Sequence, residues 1–225
     1  MRDPFAAVAG AYEAWYETPL GAHADAQELT LLRRLLAGEH RGTVVEIGAG
    51  TGHVSRALAG DVGRIVAIEP SPAMRAEGAR RSAGYPIVWV AAAGERLPLR
   101  DGAFDGALMV AVLEFVDDPL QVMREAFRVV RAGGWVVVGW LDARASWTAL
   151  YRAEGDRGVE PWASARFFTL ERLSELAGRP PEAADYALWA GPFAEPPFEQ
   201  AEAAGRRAGH PPAFGAARWR AGSAG

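Results

Sequence analysis

The 225-residue sequence contains no cysteine and no lysine. Without cysteine, the chain has no disulfide, thiolate metal site, iron–sulfur cluster or cysteine nucleophile. Without lysine, it cannot form a Schiff base or supply the lysine of a phosphate-binding P-loop. These two absences exclude several reaction classes, and the sequence gives no reason to expect a metal site.

Long apolar runs are also missing. None approaches the roughly 20 residues that a membrane span needs, and the N-terminal segment, with an acid at Asp3, is not typical of a signal peptide. We therefore expect a cytoplasmic protein with no membrane partner. The net charge of −4 gives no general reason to bind nucleic acid. The length suits one α/β domain with additions, as a monomer or homodimer.

Two helices are predicted before the first strand. Residues 4 to 17 carry aromatic and apolar side chains at helical spacing, and the Thr18-Pro19-Leu20-Gly21 stretch is interpreted as the stop of that helix. A second helix is expected over residues 23 to 37, with Gly38 at its end.

Strands and helices then alternate, which is typical of βαβ units in a parallel sheet. Thr51, Ser71 and Asp118 are predicted helix caps, and Gly133 and Gly134 are expected to close the Asp118 helix. Further helices are expected over residues 147–151 and 169–177, and the stretch from 191 to 212 is assigned no element. The predicted strands cover residues 44–47, 64–68, 87–91, 107–112, 135–141, 185–190 and, as a last edge strand, 214–220.

The most informative stretch is VVEIGAGTG, residues 44–52, in which a strand leads into three alternating glycines and a helix. Glycine can take positive φ and has no Cβ, so a ligand can lie directly against the backbone where the helix exposes free N–H groups. This pattern predicts a nucleotide or nucleoside site.

Two acids narrow the choice of ligand. Glu69 lies 19 residues beyond Gly50, at the end of the second strand, where an acid is expected to bind ribose hydroxyls. The dinucleotide fingerprint G-x-G-x-x-G would need glycine in place of His53. Glu46, before the turn, would repel a pyrophosphate and attract a cation. A nicotinamide-dependent oxidoreductase is therefore retained only as an alternative.

Four pieces in this order resemble the class I S-adenosylmethionine-dependent methyltransferases, especially the small-molecule branch that includes the quinone-biosynthesis enzymes. They are VVEIGAGTG, IVAIEPSPAM, the segment from GERLPL to FD, and DDPLQVMREAFRVVRAGG with the strand after it, about residues 43 to 141. The resemblance implies an α/β, Rossmann-like, doubly wound sheet of seven mostly parallel strands with the last antiparallel. It also implies methyl transfer from S-adenosyl-L-methionine to a small-molecule acceptor.

The resemblance further implies a domain organisation. Residues 1–40 would form an N-terminal helical lid, and residues 41–225 the methyltransferase domain, with cap elements at about 142–180. Tyr12, Trp15 and Tyr16 resemble the aromatic residues of the family's lid, where Tyr16 would cover the cofactor; simple packing is the alternative.

Cofactor-binding roles also follow from the resemblance. Gly48, Ala49 and Gly50 would face the methionine part of the cofactor, Glu46 would hold its ammonium group, and Glu69 would bind the ribose.

The adenosine end of the site matches the residue pattern of the family less well. Pro70 and Met74 would pack near the adenosine. The aspartate that family members often place after the third strand is replaced here by Ala93, so adenine would be held by the backbone around Gly94 and by Glu95.

A catalytic base is needed only if the acceptor must lose a proton. The candidates are His23, Glu114 and His53, each of which also has an ordinary structural explanation. Because Ala93 lacks the acid and no base stands out, a non-catalytic S-adenosylmethionine-binding regulatory protein stays an alternative.

The motif Asn/Asp-Pro-Pro-aromatic of base-amino methyltransferases is absent after the fourth strand, which favours a small-molecule acceptor. Aromatic residues beyond the fifth strand would line an acceptor pocket or fill the core: Trp147, Tyr151, Trp162, Phe167 and Phe168.

Overall fold

The computed structural model describes residues 3–222. Residues 1–2 and 223–225, at the ends of the two predicted domains, lie outside the described part of the chain. Seven strands form one sheet, in the order β3-β2-β1-β4-β5-β7-β6. The strands are β1 (Gly42–Ile47), β2 (Gly63–Ile68), β3 (Ile87–Val90), β4 (Phe104–Val110), β5 (Val130–Leu141), β6 (Ala183–Ala187) and β7 (Phe214–Arg220).

The predicted fold class is confirmed. Strands β1 to β5 pair in parallel, and β7 is antiparallel to both of its neighbours, β5 and β6. The last strand is not an edge strand as predicted, because β6 lies outside it. The strand order reverses between β1 and β4, which is the switch point where ligands bind in doubly wound sheets.

Helices cover both faces of the sheet. α5 and α7 pack on one face, and α2 and α3 pack on the other. The helices are α1 (Ala14–Glu17), α2 (Pro19–Leu36), α3 (His53–Val62), α4 (Pro72–Arg81), α5 (Pro119–Val129), α6 (Ser146–Asp156), α7 (Leu170–Ala177) and α8 (Phe198–Arg207), with a 3₁₀ turn at Trp162–Ser164.

The N-terminal helix prediction is wrong for most of its length. Residues 4–13 form successive turns, and only Ala14–Glu17 is helical. So short a segment, interrupted by Gly10, has little helical stability of its own. The predicted stop is instead a start, because Thr18 accepts a hydrogen bond from the Gly21 N–H and Pro19 opens α2.

Two further local predictions are corrected. Thr51 does not cap α3, since Gly52 in the left-handed region takes that position and, within residues 3–222, the Thr51 hydroxyl has no hydrogen-bond partner. The buried residues of α3 are Ser55, Leu58, Ala59 and Val62.

Gly133 and Gly134 do not close α5, because that helix ends at Val129 and both glycines lie within β5. The β-branched Val130 already pairs with Phe104 of β4, so the chain is extended before it reaches the glycines.

Two strand boundaries and one helix also differ from the sequence prediction. The fourth strand begins at Phe104 and ends at Val110, because Ala111 turns to positive φ. The sixth strand ends at Ala187, because Leu188 also takes positive φ. α8 lies within residues 191–212, for which no element was predicted, since alanine favours helix even between prolines.

Gly106 of β4 should be intolerant of a side chain. A Cβ at this position would overlap the indole ring of Trp135, its buried partner on β5. We expect Gly106→Ala to lower the free energy of unfolding by about 1 to 3 kcal/mol. Gly60→Ala is the control, because a Cβ on that α3 residue meets nothing within 4 Å and alanine favours helix. Urea unfolding that finds the two variants equally stable would contradict this packing.

Candidate functional site

A cavity of about 260 Å³ opens at the carboxyl ends of β1, β2 and β4, at the switch point of the sheet. The glycine turn, the segment after β2 and the segment after β4 form its floor. Residues 3–17, called the N-terminal segment below, form its roof together with α2. Lining residues come from the ranges 3–5, 12–16, 25–32, 46–54, 69–74 and 110–116.

The glycine turn is bonded to β2 on one side and has space for a ligand on the other. Gly48 and Ala49 donate their N–H groups to the Ile68 carbonyl at 2.9 Å, which ties the turn to β2. A Cβ on Gly48 would overlap the Val112 side chain, whereas one on Gly50 would meet only Met74 Cε at 3.5 Å. The positive φ of both glycines and the space beside Gly50 leave room for a ligand against the backbone.

Glu69 lies beside this space. Its two carboxylate oxygens accept hydrogen bonds from the backbone N–H groups of Gly50 and Ser71, both at 2.8 Å. Burial raises the pKa of Glu69. Because each carboxylate oxygen can accept more than one hydrogen bond, Glu69 can still bind ligand hydroxyls.

Glu46 lines the same cavity and is 3% exposed. It accepts a hydrogen bond from the Ser55 hydroxyl of α3, and burial raises its pKa to about 7. Pro70 and Met74 lie along the wall next to Glu69.

Aromatic residues of the N-terminal segment cover the cavity. The ring of Tyr16 stacks on His53 with centroids 3.9 Å apart, and His53 Nε2 lies 2.8 Å from Asp25 Oδ1. Glu13 forms ion pairs with Arg56 of α3 at 2.6 Å and with Arg81 of α4 at 3.3 Å. These contacts hold the segment across the mouth of the cavity.

Two of the three candidate bases lie outside the cavity lining. His23 Nε2 is 3.1 Å from Glu202 Oε1, and its ring stacks on Phe198 of α8. Glu114 is fully buried and accepts a hydrogen bond from the Leu141 N–H, and burial raises its pKa to about 7. His53 does line the cavity, but Asp25 already contacts its Nε2.

The predicted adenine residues are not brought to the cavity. Ala93, Gly94 and Glu95 are absent from its lining. Glu95 instead accepts hydrogen bonds from the N–H groups of Asp117 and Asp118, at 3.0 and 3.4 Å, where it helps to shape the start of α5.

Asp25 and Glu28 line the roof of the cavity from α2, and neither was predicted from the sequence. Both acids are close in sequence to Leu29 and Leu32, which pack into the core. Acids interleaved with the buried leucines of one helix were the available signal, because such acids seldom face the core without a function.

Comparison with known proteins finds a methyltransferase domain in this chain. A family model described as a methyltransferase domain matches residues 45–138. A solved S-adenosylmethionine-dependent methyltransferase from Thermotoga maritima, described as a possible histamine N-methyltransferase, superimposes with a TM-score of 0.74. It is 27% identical and covers 96% of this chain and 97% of its own. Residues 45–138 therefore form a methyltransferase domain, and the chain has the fold of the S-adenosylmethionine-dependent methyltransferases.

Two sequence relatives of this methyltransferase domain differ from it in length. An uncharacterized protein of Mycobacterium tuberculosis is 34% identical over 170 residues, which is 75% of this chain and 56% of the relative. The chain therefore spans little more than half the length of that protein. A mitochondrial 2-methoxy-6-polyprenyl-1,4-benzoquinol methylase of Leishmania donovani is 40% identical over 91 residues, 39% of this chain and 31% of its own.

Family and fold imply S-adenosyl-L-methionine as the cofactor of this methyltransferase domain. The chemistry of the cavity fits that molecule. The cofactor carries a sulfonium and an ammonium group against one carboxylate, and the part of the lining that falls within residues 3–222 contains acids but no arginine. The space against the Gly50 backbone, next to the Glu69 carboxylate, suits a ribose.

Two kinds of feature are absent from residues 3–222. No helix in this range combines the length and apolar character that a membrane crossing requires. In the same range, no group of three or more acids and histidines is arranged to hold a metal ion.

Proposed function

We propose that this methyltransferase domain transfers a methyl group from S-adenosyl-L-methionine to a small-molecule acceptor. The observation that carries the proposal is the cavity at the switch point, where an open glycine turn adjoins the Glu69 carboxylate. When bound, the cofactor supplies a methyl group activated by the positive charge on sulfur. The chain then has to align an acceptor and exclude water.

The cofactor roles proposed for individual residues follow the geometry of the cavity. Gly48, Ala49 and Gly50 would form the floor under the methionine part, and Glu46 would attract its ammonium group. Glu69 would accept hydrogen bonds from the ribose hydroxyls.

The other predicted cofactor residues divide into two groups. Pro70 and Met74 would pack on the adenosine. We propose no cofactor contact for Ala93, Gly94 or Glu95, which do not line the cavity.

We also propose that the N-terminal segment acts as a lid, with Tyr16 over the cofactor. Its support is the pair of ion pairs from Glu13 to Arg56 and Arg81, together with the stacking of Tyr16 on His53. A lid of this kind keeps water from the reacting atoms and explains how a small acceptor can be enclosed. This enclosure supports a small molecule over a macromolecular acceptor.

Ligand-dependent thermal stability tests the cofactor assignment. S-adenosylhomocysteine at 100 times its dissociation constant should stabilise the protein by about 2.7 kcal/mol, or roughly 5 to 10 °C in melting temperature. NADH at the same concentration should leave the melting temperature unchanged. Stabilisation by NADH alone would support the nicotinamide-dependent oxidoreductase instead.

Turnover separates catalysis from binding. Incubation with S-adenosylmethionine labelled on its methyl group and a library of small acceptors should give a labelled product. Binding of the cofactor with no labelled product from the library would favour the non-catalytic regulatory alternative.

A further inference from the structure

Within residues 3–222, the charged residues that line the cavity are acids, apart from His53. Although the chain has 24 basic residues, no arginine in this range lies in the lining. A cavity with this balance repels anions and attracts cations, and the attraction is stronger than in water because the surroundings are partly desolvated. The acids are Asp3, Asp25, Glu28, Glu46 and Glu69.

Four of these five acids already have hydrogen-bond partners. Glu69 accepts from two backbone N–H groups, Glu46 from Ser55, Asp25 faces His53, and Asp3 accepts from the Phe5 N–H.

Glu28 is the exception within residues 3–222. It forms no hydrogen bond or ion pair there, although it lines the cavity from the middle of α2. Burial raises the pKa of Glu28 to about 8, and the negative charge of Asp25 adds to that increase. Glu28 is partly exposed to the cavity, and a cation bound beside it would favour the ionised carboxylate.

Aromatic residues line the same cavity as this carboxyl group. Tyr12 and Tyr16 also line the cavity, with ring centroids 6.3 Å apart. Burial raises the pKa of Tyr12, Tyr16 and Tyr151, and the charge of Glu28 contributes to each increase, so all three phenols lie within its electrostatic reach. Ring faces attract cations, particularly where water is excluded.

We propose that the methyl acceptor is a small amine whose ammonium group is bound by Glu28 between the rings of Tyr12 and Tyr16. This inference rests on the proposed function and specifies the acceptor class of the same site. Glu28 is then the residue that selects a cationic acceptor, separately from Glu46 and Glu69, which serve the cofactor.

Glu28 and the bound amine also account for the proton that the amine must lose. An ammonium group cannot attack a methyl group until it loses a proton, and that proton passes to the Glu28 carboxylate. The free amine nitrogen then forms the new bond to the methyl carbon. The carbon–sulfur bond breaks, and its electron pair stays on sulfur, which becomes a neutral thioether. Charge is balanced, because the positive charge of the sulfonium ends on the methylated amine.

A phenol or quinol acceptor fits this cavity less well. Such an acceptor must become an anion to attack the methyl group, and the neighbouring acids would raise the energy of that anion. The proposed amine therefore differs from the quinol acted on by the Leishmania relative.

The test begins with binding to the complex of the protein with S-adenosylhomocysteine. The probes are 2-phenylethylamine and 3-phenylpropanoate, which have similar size and opposite charge. Calorimetry should show that the amine binds about tenfold or more tightly than the carboxylate. Glu28→Gln should abolish that preference, whereas Glu17→Gln, the same change at an exposed site, should retain it.

Cofactor binding separates the possible roles of Glu28. If Glu28 serves the acceptor, the affinity of Glu28→Gln for S-adenosylhomocysteine stays within about twofold of the unaltered protein, which is less than the loss of one hydrogen bond to a charged group. A tenfold loss of that affinity would assign Glu28 to the cofactor and overturn the proposal. Equal binding of the two probes by the unaltered protein would overturn it as well.

Labelled methyl transfer completes the test. Amines should be methylated in preference to phenols and carboxylic acids, and Glu28→Gln should raise the KM for the amine. Methylated phenols without methylated amines would refute the amine proposal and leave methyl transfer standing. Failure of the unaltered protein to bind S-adenosylhomocysteine would refute the proposed function itself.

Discussion

Glu69→Ala is expected to weaken the binding of S-adenosylhomocysteine by about 10- to 100-fold. Hydrogen bonds to a charged acceptor contribute about 1.5 to 3 kcal/mol, and every 1.4 kcal/mol is a factor of ten in affinity. The substitution removes the proposed acceptor of the ribose hydroxyls. It also frees the Gly50 N–H, which Glu69 holds at 2.8 Å, so the glycine turn becomes less well positioned for its ligand.

Glu95→Ala is the matched control for this change. Both residues are glutamates in loops after neighbouring strands, and both accept two backbone hydrogen bonds. Only Glu69 lines the cavity. Isothermal titration calorimetry should find the cofactor affinity of Glu95→Ala unchanged, and both variants should unfold cooperatively. A loss of affinity in Glu95→Ala alone would restore Glu95 as the adenine contact and remove Glu69 from the site.

Compared with the unaltered protein, the Glu114→Gln variant is expected to become more stable as the pH rises. Burial raises the pKa of Glu114 from 4.5 to about 7, so the folded protein retains a proton that the unfolded chain has lost. The stability that this proton supplies is complete below pH 4.5 and is lost as the pH rises through 7. Each pKa unit is 1.36 kcal/mol, which gives a difference of about 3 kcal/mol.

The measurement is the difference in unfolding free energy between Glu114→Gln and the unaltered protein at pH 5 and pH 8. The comparison matters because burial also raises the pKa values of Glu46 and Glu28, which contribute equally to both proteins. The difference should shift in favour of the variant by about 2 to 3 kcal/mol between these pH values, because part of the change has already occurred at pH 5.

Glu77→Gln is the control whose titration lies outside this pH range. Hydrogen bonds from Arg80 and Arg81 lower the pKa of Glu77 to about 2, so the stability that its charge supplies is lost only as the pH falls from 4.5 toward 2. This substitution should therefore give the same difference at pH 5 and pH 8. A pH-independent difference for Glu114→Gln would mean that Glu114 is not protonated in the folded protein.

The sheet could be predicted from the sequence because its signals are local. The continuous apolar run of β5 and the caps at Ser71 and Asp118 depend on neighbouring residues, and both caps form as expected. The N-terminal segment could not be predicted in the same way. Its aromatic residues have helical spacing, but they pack on residues far along the chain, as Phe5 does on Phe115.

The cavity residues near the glycine turn could be predicted from the sequence, whereas those on α2 could not. Glu46 and Glu69 belong to motifs of fixed spacing, and both line the cavity. Glu28 belongs to no motif, and its proposed role depends on the three-dimensional structure, in which it has no hydrogen-bond partner among residues 3–222. Conversely, Glu114 follows the end of a strand as a catalytic acid would, yet its carboxylate turns inward to the Leu141 N–H.

The position of β7 between β5 and β6 also constrains the order in which the chain can fold. β6 pairs only with β7, so it has no place in the sheet until β7 has joined β5. That pairing links residues 130–141 with residues 214–220, a large separation that makes contacts slow to form. The cofactor turn and its neighbours β1, β2 and β4 pair over shorter separations. The catalytic half of the sheet should therefore assemble first, and the half that carries β6 and β7 should be the slow step of folding.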